Sequence, residues 1–252
     1  MQQLRKVPES ILVAICLVFS TTLFAAENQC ESCHQDSGFF VEYRKLHDYY
    51  QQWLQSPHQV AGVTCDNCHG GDASATSPDD AHAGVLPMND TDSTLHIQRQ
   101  PETCGQCHRA NRNQFVQSKH HAALMRQRTA PTCTTCHPAM SSRPELRAIV
   151  LDACTQCHGE GNSDDLPLVT AQAEAVFQQL NIAGGLLGWT RIHYESHDWP
   201  GDSMQRVDEL ESRHRGIISS VHQFDLTETG TATQELVGDL RKILNEAGLA
   251  EE

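Results

Sequence analysis

Cys30-Glu31-Ser32-Cys33-His34 is the first of five C-x-x-C-H segments, which begin at residues 30, 65, 104, 133 and 154. Their cysteines are Cys30, Cys33, Cys65, Cys68, Cys104, Cys107, Cys133, Cys136, Cys154 and Cys157, and their histidines are His34, His69, His108, His137 and His158. Two thiols and an adjacent imidazole at this spacing are the attachment signal of c-type haem. The thiols add to the porphyrin, and the histidine supplies one axial nitrogen to the iron. The sequence therefore predicts five covalently attached haem c groups.

Other functions of C-x-x-C explain this pattern less well. A disulfide or a thioredoxin-like redox pair does not require a histidine after the second cysteine, and here that histidine recurs five times. A zinc site takes C-x-x-C units in pairs, whereas five is an odd number. Cys16 is the one cysteine outside the motifs, so no thiol after residue 26 remains for a structural disulfide.

The amino-terminal 26 residues have the pattern of an export signal. Arg5 and Lys6 precede a mostly apolar run from residue 11 to residue 26, and Ala25 and Ala26 offer a small-residue cleavage site. The apolar run is shorter than the ~20 residues that span a bilayer. We therefore expect cleavage after residue 26 and a periplasmic protein with no stable membrane span. An uncleaved membrane anchor is the alternative.

The net charge of −14 restricts the class of partner. Residues 160–252 carry six Lys and Arg against seventeen Asp and Glu. An acidic surface disfavours nucleic acid and anionic lipid. It suits docking to a basic patch on another redox protein, and it equally suits solubility alone.

Composition indicates a mainly α, loop-rich fold. Apolar residues make up 38% of the chain and aromatic residues 6%, which is low for a core of this length. We expect residues 27–160 to form a pentahaem cytochrome c domain with short helices around stacked haems, and a long surface loop from Gly70 to Pro101. Residues 161–252 are expected to form an acidic helical tail packed on that domain. Its helices are predicted at 167–187, limited by Gly184 and Gly185, at 204–224, and after a capping box at Thr231 and Gln234.

An internal repeat predicts two distal ligands. Residues 52–61 (QWLQSPHQVA) match residues 114–123 (QFVQSKHHAA), and each segment precedes a haem motif. The shared pattern is Q-aromatic-aliphatic-Q-S-x-H-x-x-A. We expect a helix with aromatic and aliphatic anchors to carry His58 and His120 toward iron.

Eight further histidines lie outside the motifs. His47 shares a helix face with Tyr43, Leu46, Tyr50 and Leu54, a face that we expect to pack inward and to supply a ligand. His82 and His96 lie in the polar loop and are either ligands or solvent-facing. The remaining candidates are His193 or His197, which are four residues apart between two tryptophans, and His214, which is a ligand or a buried histidine. His121 shares the second repeat with His120, and His222 is expected at a surface or an interface.

The chain resembles the superfamily of hydroxylamine oxidoreductase, its tetrahaem electron acceptor and pentahaem nitrite reductase. The resemblance lies in residues 52–58 (QWLQSPH), 62–71 (GVTCDNCHGG) and 115–124 (FVQSKHHAAL), and in a histidine-containing helical tail after the last motif. It implies closely stacked haem pairs that conduct electrons. No motif here ends in Lys, as the catalytic motif of those nitrite reductases does, and nothing identifies Tyr194 as a cross-link, so the family's catalytic sites are not implied.

We therefore expect a periplasmic pentahaem cytochrome that carries single electrons along mostly bis-His haems between redox partners, more in keeping with an electron-transfer protein than with an enzyme. One alternative is an oxidoreductase that acts on a small nitrogen or sulfur compound at one five-coordinate haem. A membrane-anchored quinol dehydrogenase requires an uncleaved amino terminus. An oligomer in which tail histidines bind haem in a neighbouring chain is also open.

Overall fold

The computed structural model describes residues 28–127, 130–138, 140, 146–159, 161, 168–194, 199 and 201–249. Within these ranges the regular elements are all helical, which confirms the mainly α prediction. No helix there is both long and apolar enough to cross a membrane. The expected signal segment and His197 lie outside the described residues.

The motif region consists of short helices joined by turns. They are α1 (Gln29–His34), α2 (Ser37–Glu42), α3 (Arg44–Leu54), α4 (Pro57–Val60), α5 (Cys65–His69), α6 (Pro78–Ala81), α7 (Gln100–Gly105), α8 (Arg109–Phe115), α9 (Lys119–Gln127), α10 (Cys133–Cys136) and α11 (Leu146–His158).

Three motif helices begin where the sequence provides a cap. The Asn28 side chain accepts a hydrogen bond from the Glu31 N–H at 3.2 Å, so α1 begins directly before Cys30. The Thr64 N–H donates to Asn67 at 3.0 Å, and the Thr132 N–H donates to Thr135 at 3.0 Å, as parts of two capping boxes. Such caps satisfy backbone groups that a helix end leaves unpaired. They place both thiols of the first, second and fourth motifs on one short helix each.

The sequence repeat is also a structural repeat. Trp53 and Phe115 are buried near the end of one helix, and Ser56 and Ser118 are buried at the start of the next. The Ser56 Oγ accepts from the Gln59 N–H at 3.2 Å, and the Ser118 Oγ accepts from the His121 N–H at 3.0 Å. The expected single helix is therefore wrong, because each serine starts a new helix whose first turn carries His58 or His120.

The segment from Gly70 to Pro101 is more ordered than the expected surface loop. It contains α6, and it ends in a turn where His96 and Gln100 are buried. The Gln100 side chain donates to the Leu95 carbonyl at 3.1 Å and accepts from the N–H and the hydroxyl of Thr134 at 3.2 and 2.9 Å. The hydrogen bonds of the buried Gln100 side chain with Thr134 thus connect this segment to the fourth motif.

The tail is a bundle of three helices, α12 (Val169–His193), α13 (Ser203–Ser220) and α14 (Leu226–Glu246), with a 3₁₀ turn at Val221–Gln223. One apolar cluster unites them. Its buried members are Val176, Leu180, Ala183, Leu187, Val207, Leu210, Ile217, Leu236, Leu240 and Ile243. Burial at helical spacing in all three helices is the packing expected of an amphipathic bundle.

Gly184 and Gly185 do not limit α12, contrary to the prediction. The helix continues to His193 because Gly184 lies against the imidazole of His214, where an added Cβ would stand 3.2 Å from His214 Cε1. The His214 Nε2 lies 3.2 Å from the Leu180 carbonyl, so this ring bridges two tail helices. The glycine serves helix packing rather than helix termination.

The last two helix predictions also need correction. The helix predicted to reach Phe224 ends at Ser220, because the 3₁₀ turn follows and Phe224 adopts the left-handed conformation. The last helix begins at Leu226 rather than after Thr231. Asp225 caps it, since its side chain accepts from the Glu228 N–H at 2.9 Å.

Candidate haem-binding centre

The five motifs lie next to one another in sequence order. Burial raises the pKa of the Cys65 thiol to about 11, and the nearby Cys30 thiol adds to this. Burial, followed by repulsion from Cys104 and Cys107, raises the pKa of Cys68. The first motif is therefore beside the second, and the second is beside the third.

The third, fourth and fifth motifs are also neighbours in this order. A hydrogen bond between the Cys104 and Cys133 thiols raises the pKa of Cys104 and lowers that of Cys133. Burial raises the pKa of Cys136 to about 11, with a further contribution from nearby Cys154. A thiol of each motif thus lies near a thiol of the next motif, from motif one to motif five.

Four motif histidines face a histidine from outside the motifs. The ring centroids are 6.1 Å apart for His34 and His82, 6.1 Å for His58 and His108, 6.0 Å for His120 and His158, and 6.1 Å for His137 and His222. The angles between the ring planes are 55°, 70°, 57° and 25° in the same order.

This separation fits two axial ligands of one iron. Imidazole nitrogens bind a metal at about 2 Å, so a metal between two such nitrogens places the ring centroids about 6 Å apart. A direct hydrogen bond or a stacking contact between two imidazoles would bring the rings closer. The residues present therefore fit haem with two histidine ligands at four of the five motifs.

Two of the four non-motif histidines that face a motif histidine are oriented by a backbone carbonyl. The His82 Nδ1 lies 2.7 Å from the Pro78 carbonyl oxygen, and the His222 Nδ1 lies 3.0 Å from the Ser219 carbonyl oxygen. A carbonyl only accepts, so Nδ1 carries the proton and Nε2 is left unprotonated. This is the arrangement that orients histidine ligands in metal sites.

The surroundings also favour the neutral form of three motif imidazoles. Burial lowers the pKa of His34, His69 and His137, and a neighbouring imidazole adds to each shift. Burial and then His158 lower the pKa of His120 in the same way. Only the neutral imidazole binds iron, so these environments favour the ligating form.

His69 differs from the other motif histidines. Across the described ranges, no second imidazole faces it at the distance found in the four pairs. The rings of His47 and Phe40 meet edge-on, with their centroids 5.3 Å apart. His96 is buried, and its Nδ1 accepts a hydrogen bond from the backbone N–H of Gln98 at 3.4 Å.

The remaining candidate histidines also make contacts outside the motifs. His121 packs edge-on against Phe115 at 5.6 Å, and His193 stacks on Trp189 at 4.2 Å. Tyr43, Leu46 and Leu54, expected to face inward with His47, are exposed, and Trp53 is the buried aromatic of that helix.

Sequence reasoning therefore selected three of the four facing histidines. His58, His82 and His120 each stand opposite a motif histidine, whereas His47, His96 and His193 do not. His222 was expected at a surface or an interface, and the structure places it opposite His137. Its only sequence signal is a position at the end of an amphipathic helix, which says nothing about the distant fourth motif.

Comparison with known proteins gives partial matches to multihaem cytochromes. The C-type polyheme cytochrome OmcB of Geobacter sulfurreducens is 28% identical over 118 residues, which are 44% of this chain and 14% of that protein. The Multiheme cytochrome MtrA of Shewanella baltica is 25% identical over 139 residues, 54% of this chain and 34% of that protein. No family model matches, and no solved structure matches.

The chain thus spans about a seventh and a third of the lengths of these two relatives. The matches support a multihaem c-type cytochrome with covalently bound haem c, and they suggest electron transfer.

Proposed function

We propose that this protein is a pentahaem cytochrome that passes single electrons along a row of haem c groups between redox partners. The observation that carries the proposal is the set of four imidazole pairs, each joining a motif histidine to a histidine from elsewhere at 6.0–6.1 Å. Haem c supplies one-electron chemistry when bound. The ten motif cysteines would hold the porphyrins covalently, and each of the four histidine pairs would bind one iron.

Two histidine ligands suit electron transfer better than catalysis. Such a pair would leave no position on the iron open to a substrate and would limit structural change between oxidation states. The carbonyl contacts of His82 and His222 hold those rings in place through both states. The proposed ligands are His82 with His34, His58 with His108, His222 with His137, and His120 with His158.

The sequence of neighbouring thiols supports a linear order. Because a thiol of each motif lies near a thiol of the next motif, we infer that electrons enter or leave near the first and fifth motifs and pass through the three between them. The repeat supports this order, since His58 and His120 each face the motif after the one that they precede.

The expected setting belongs to the same proposal. Cleavage after residue 26 would deliver residues 27–160 as the haem domain and residues 161–252 as the tail to the periplasm. A donor and an acceptor protein are the implied partners, and the acidic surface suits docking to a basic patch on either of them. An oligomer in which tail histidines bind haem in a neighbouring chain is the alternative assembly.

His69 favours a second candidate function. An iron held by His69 without a second imidazole from this chain would accept a small nitrogen or sulfur compound, as in the oxidoreductase alternative. The two functions differ in one measurable quantity, which is the fraction of high-spin iron.

Low-temperature EPR of the purified, oxidised protein distinguishes them when it is integrated against haem content. Five haems per chain with entirely low-spin iron establish an electron carrier with every axial position filled. Five haems with a high-spin signal near one-fifth of the iron establish the second candidate. Fewer than four low-spin haems in a protein with five attached haems contradicts the proposed pairs.

A further inference from the structure

We propose that Phe224 is a positioning residue whose ring orients His120, so that the tail controls the ligand geometry of the fifth motif as well as that of the fourth. The inference rests on the proposed function, because it takes His120 to be the ligand opposite His158. It assigns a role to a tail residue that lies outside every haem motif.

Phe224 contacts the proposed ligand directly. Its ring centroid is 4.3 Å from that of His120, and the ring planes stand at 87°. The Phe115 ring packs against the Phe224 ring, with the centroids 6.3 Å apart and the ring planes at 73°. Perpendicular contacts of this kind are a favoured arrangement of aromatic pairs and restrain rotation of each ring.

His120 depends on this packing because it lacks the usual backbone restraint. The Nδ1 atoms of His82 and His222 lie on carbonyl oxygens, whereas the His120 Nδ1 is buried with no hydrogen-bond partner among the described residues. Without that hydrogen bond, the plane of the His120 ring is set by the side chains around it. Phe224 makes the closest of its ring contacts.

The backbone conformation at Phe224 is unusual for a bulky residue. Phe224 has φ 62° and ψ 25°, and it is the one non-glycine residue with positive φ in the described ranges. A bulky residue is strained in this conformation, and glycine is the residue that ordinarily occupies it after a helix. A ring that restrains a ligand explains why a bulky residue stands there.

The two residues before Phe224 attach the 3₁₀ turn to the haem domain. His222 faces His137 at 6.1 Å, and the Gln223 side chain donates a hydrogen bond to the Gln114 side chain on α8. Three consecutive tail residues thus contact the fourth pair, the haem domain and the fifth pair. Docking of the tail therefore completes the fourth pair and, in the same event, places the Phe224 ring against the fifth pair.

The test compares Phe224→Gly, Phe224→Ala and Phe224→Tyr in the full haem-loaded protein. The glycine variant removes the ring and also removes the backbone strain, so it separates the two roles. We expect its melting temperature to stay constant or rise, while the largest g value of one low-spin signal and the midpoint potential of one haem shift. The tyrosine variant keeps an aromatic ring, so its g value and its midpoint potential should equal those of the unmodified protein.

Ile243→Ala is the matched control, because Ile243 is buried in the apolar cluster of the tail bundle and Phe224 is not one of that cluster's buried members. It should lower the melting temperature and leave the g values unchanged. An unshifted spectrum in Phe224→Gly, or the same shift in Ile243→Ala, would overturn the proposal. Failure of the proposed function is separately visible, because His120→Ala would then leave all low-spin signals intact.

Discussion

The imidazole of His222, in the tail, stands opposite that of His137, in the fourth motif, with ring centroids 6.1 Å apart and planes inclined by only 25°. The two residues are far apart in sequence, and no motif connects them. The relationship makes the tail a part of the proposed haem chain.

His222→Ala should convert one haem from low-spin to high-spin. The variant removes one of two axial nitrogens and leaves the cysteine attachments intact, so five haems should remain bound. EPR and the pyridine haemochrome assay measure the two quantities. Ser220→Ala is the control, because it removes only a hydroxyl that donates to the Ile217 carbonyl one turn earlier. Unchanged low-spin content in His222→Ala would show that another residue binds this iron.

His120→Ala and His121→Ala form a matched pair of adjacent substitutions. His120 faces His158, whereas His121 packs on Phe115. We therefore expect a high-spin haem in the first variant and an unchanged EPR spectrum in the second. The reverse result would mean that the helix after Ser118 is rotated by about one residue relative to the structure.

Loss of the second haem should interrupt conduction in the middle of the row. Replacing Cys65 and Cys68 with Ala removes both attachment thiols of a motif whose thiols lie near those of motifs one and three. Electron transfer from the first haem to the fifth should slow strongly, as measured by flash reduction of the haem at one end. Replacing Cys30 and Cys33 is the control, since it removes a terminal haem and should leave transfer from the second haem to the fifth at its original rate. An unchanged rate from the first haem to the fifth in the Cys65 and Cys68 variant would contradict a linear order.

Substitutions at Gly184 and Gly185 should have opposite effects on stability. An added Cβ at Gly185 meets no atom within 4 Å, so Gly185→Ala should stabilise α12 by up to about 1 kcal/mol through helix propensity. Gly184→Leu drives a side chain into His214 and should destabilise the tail by about 1–3 kcal/mol. Thermal unfolding followed by circular dichroism measures both effects. Equal changes in the two variants would show that His214 moves freely away from Gly184.

The predictable part of the site is local in sequence. The caps at Asn28, Thr64 and Thr132 could be inferred because a cap acts within one helical turn. The repeat around His58 and His120 was recognisable for the same reason, although the helix break at each buried serine was not foreseen. The prediction that Gly184 limits a helix failed because propensity is a weak preference, and packing against His214 outweighs it.

Ligand pairing was less predictable because it depends on distance in space. His82 and His96 share one polar segment and had equal standing in the sequence, yet one faces His34 and the other is buried beside Gln98. His47 had a favourable helical pattern, but its ring meets Phe40. Periodicity identifies a helix face and does not identify what that face contacts.

The sequence by itself determined the chemistry, because thiol attachment and the proximal ligand require only five adjacent residues at each motif. It also determined the helical class and the location of the acidic charge. The tertiary structure decided the order of the motifs in space, the partners of His34, His108, His137 and His158, and the position of Phe224 against His120. These relationships join residues distant in the chain. Folding of the motif region brings together three of the histidine pairs, and packing of the tail helices against that region adds the pair of His137 and His222 and the contact of Phe224 with His120.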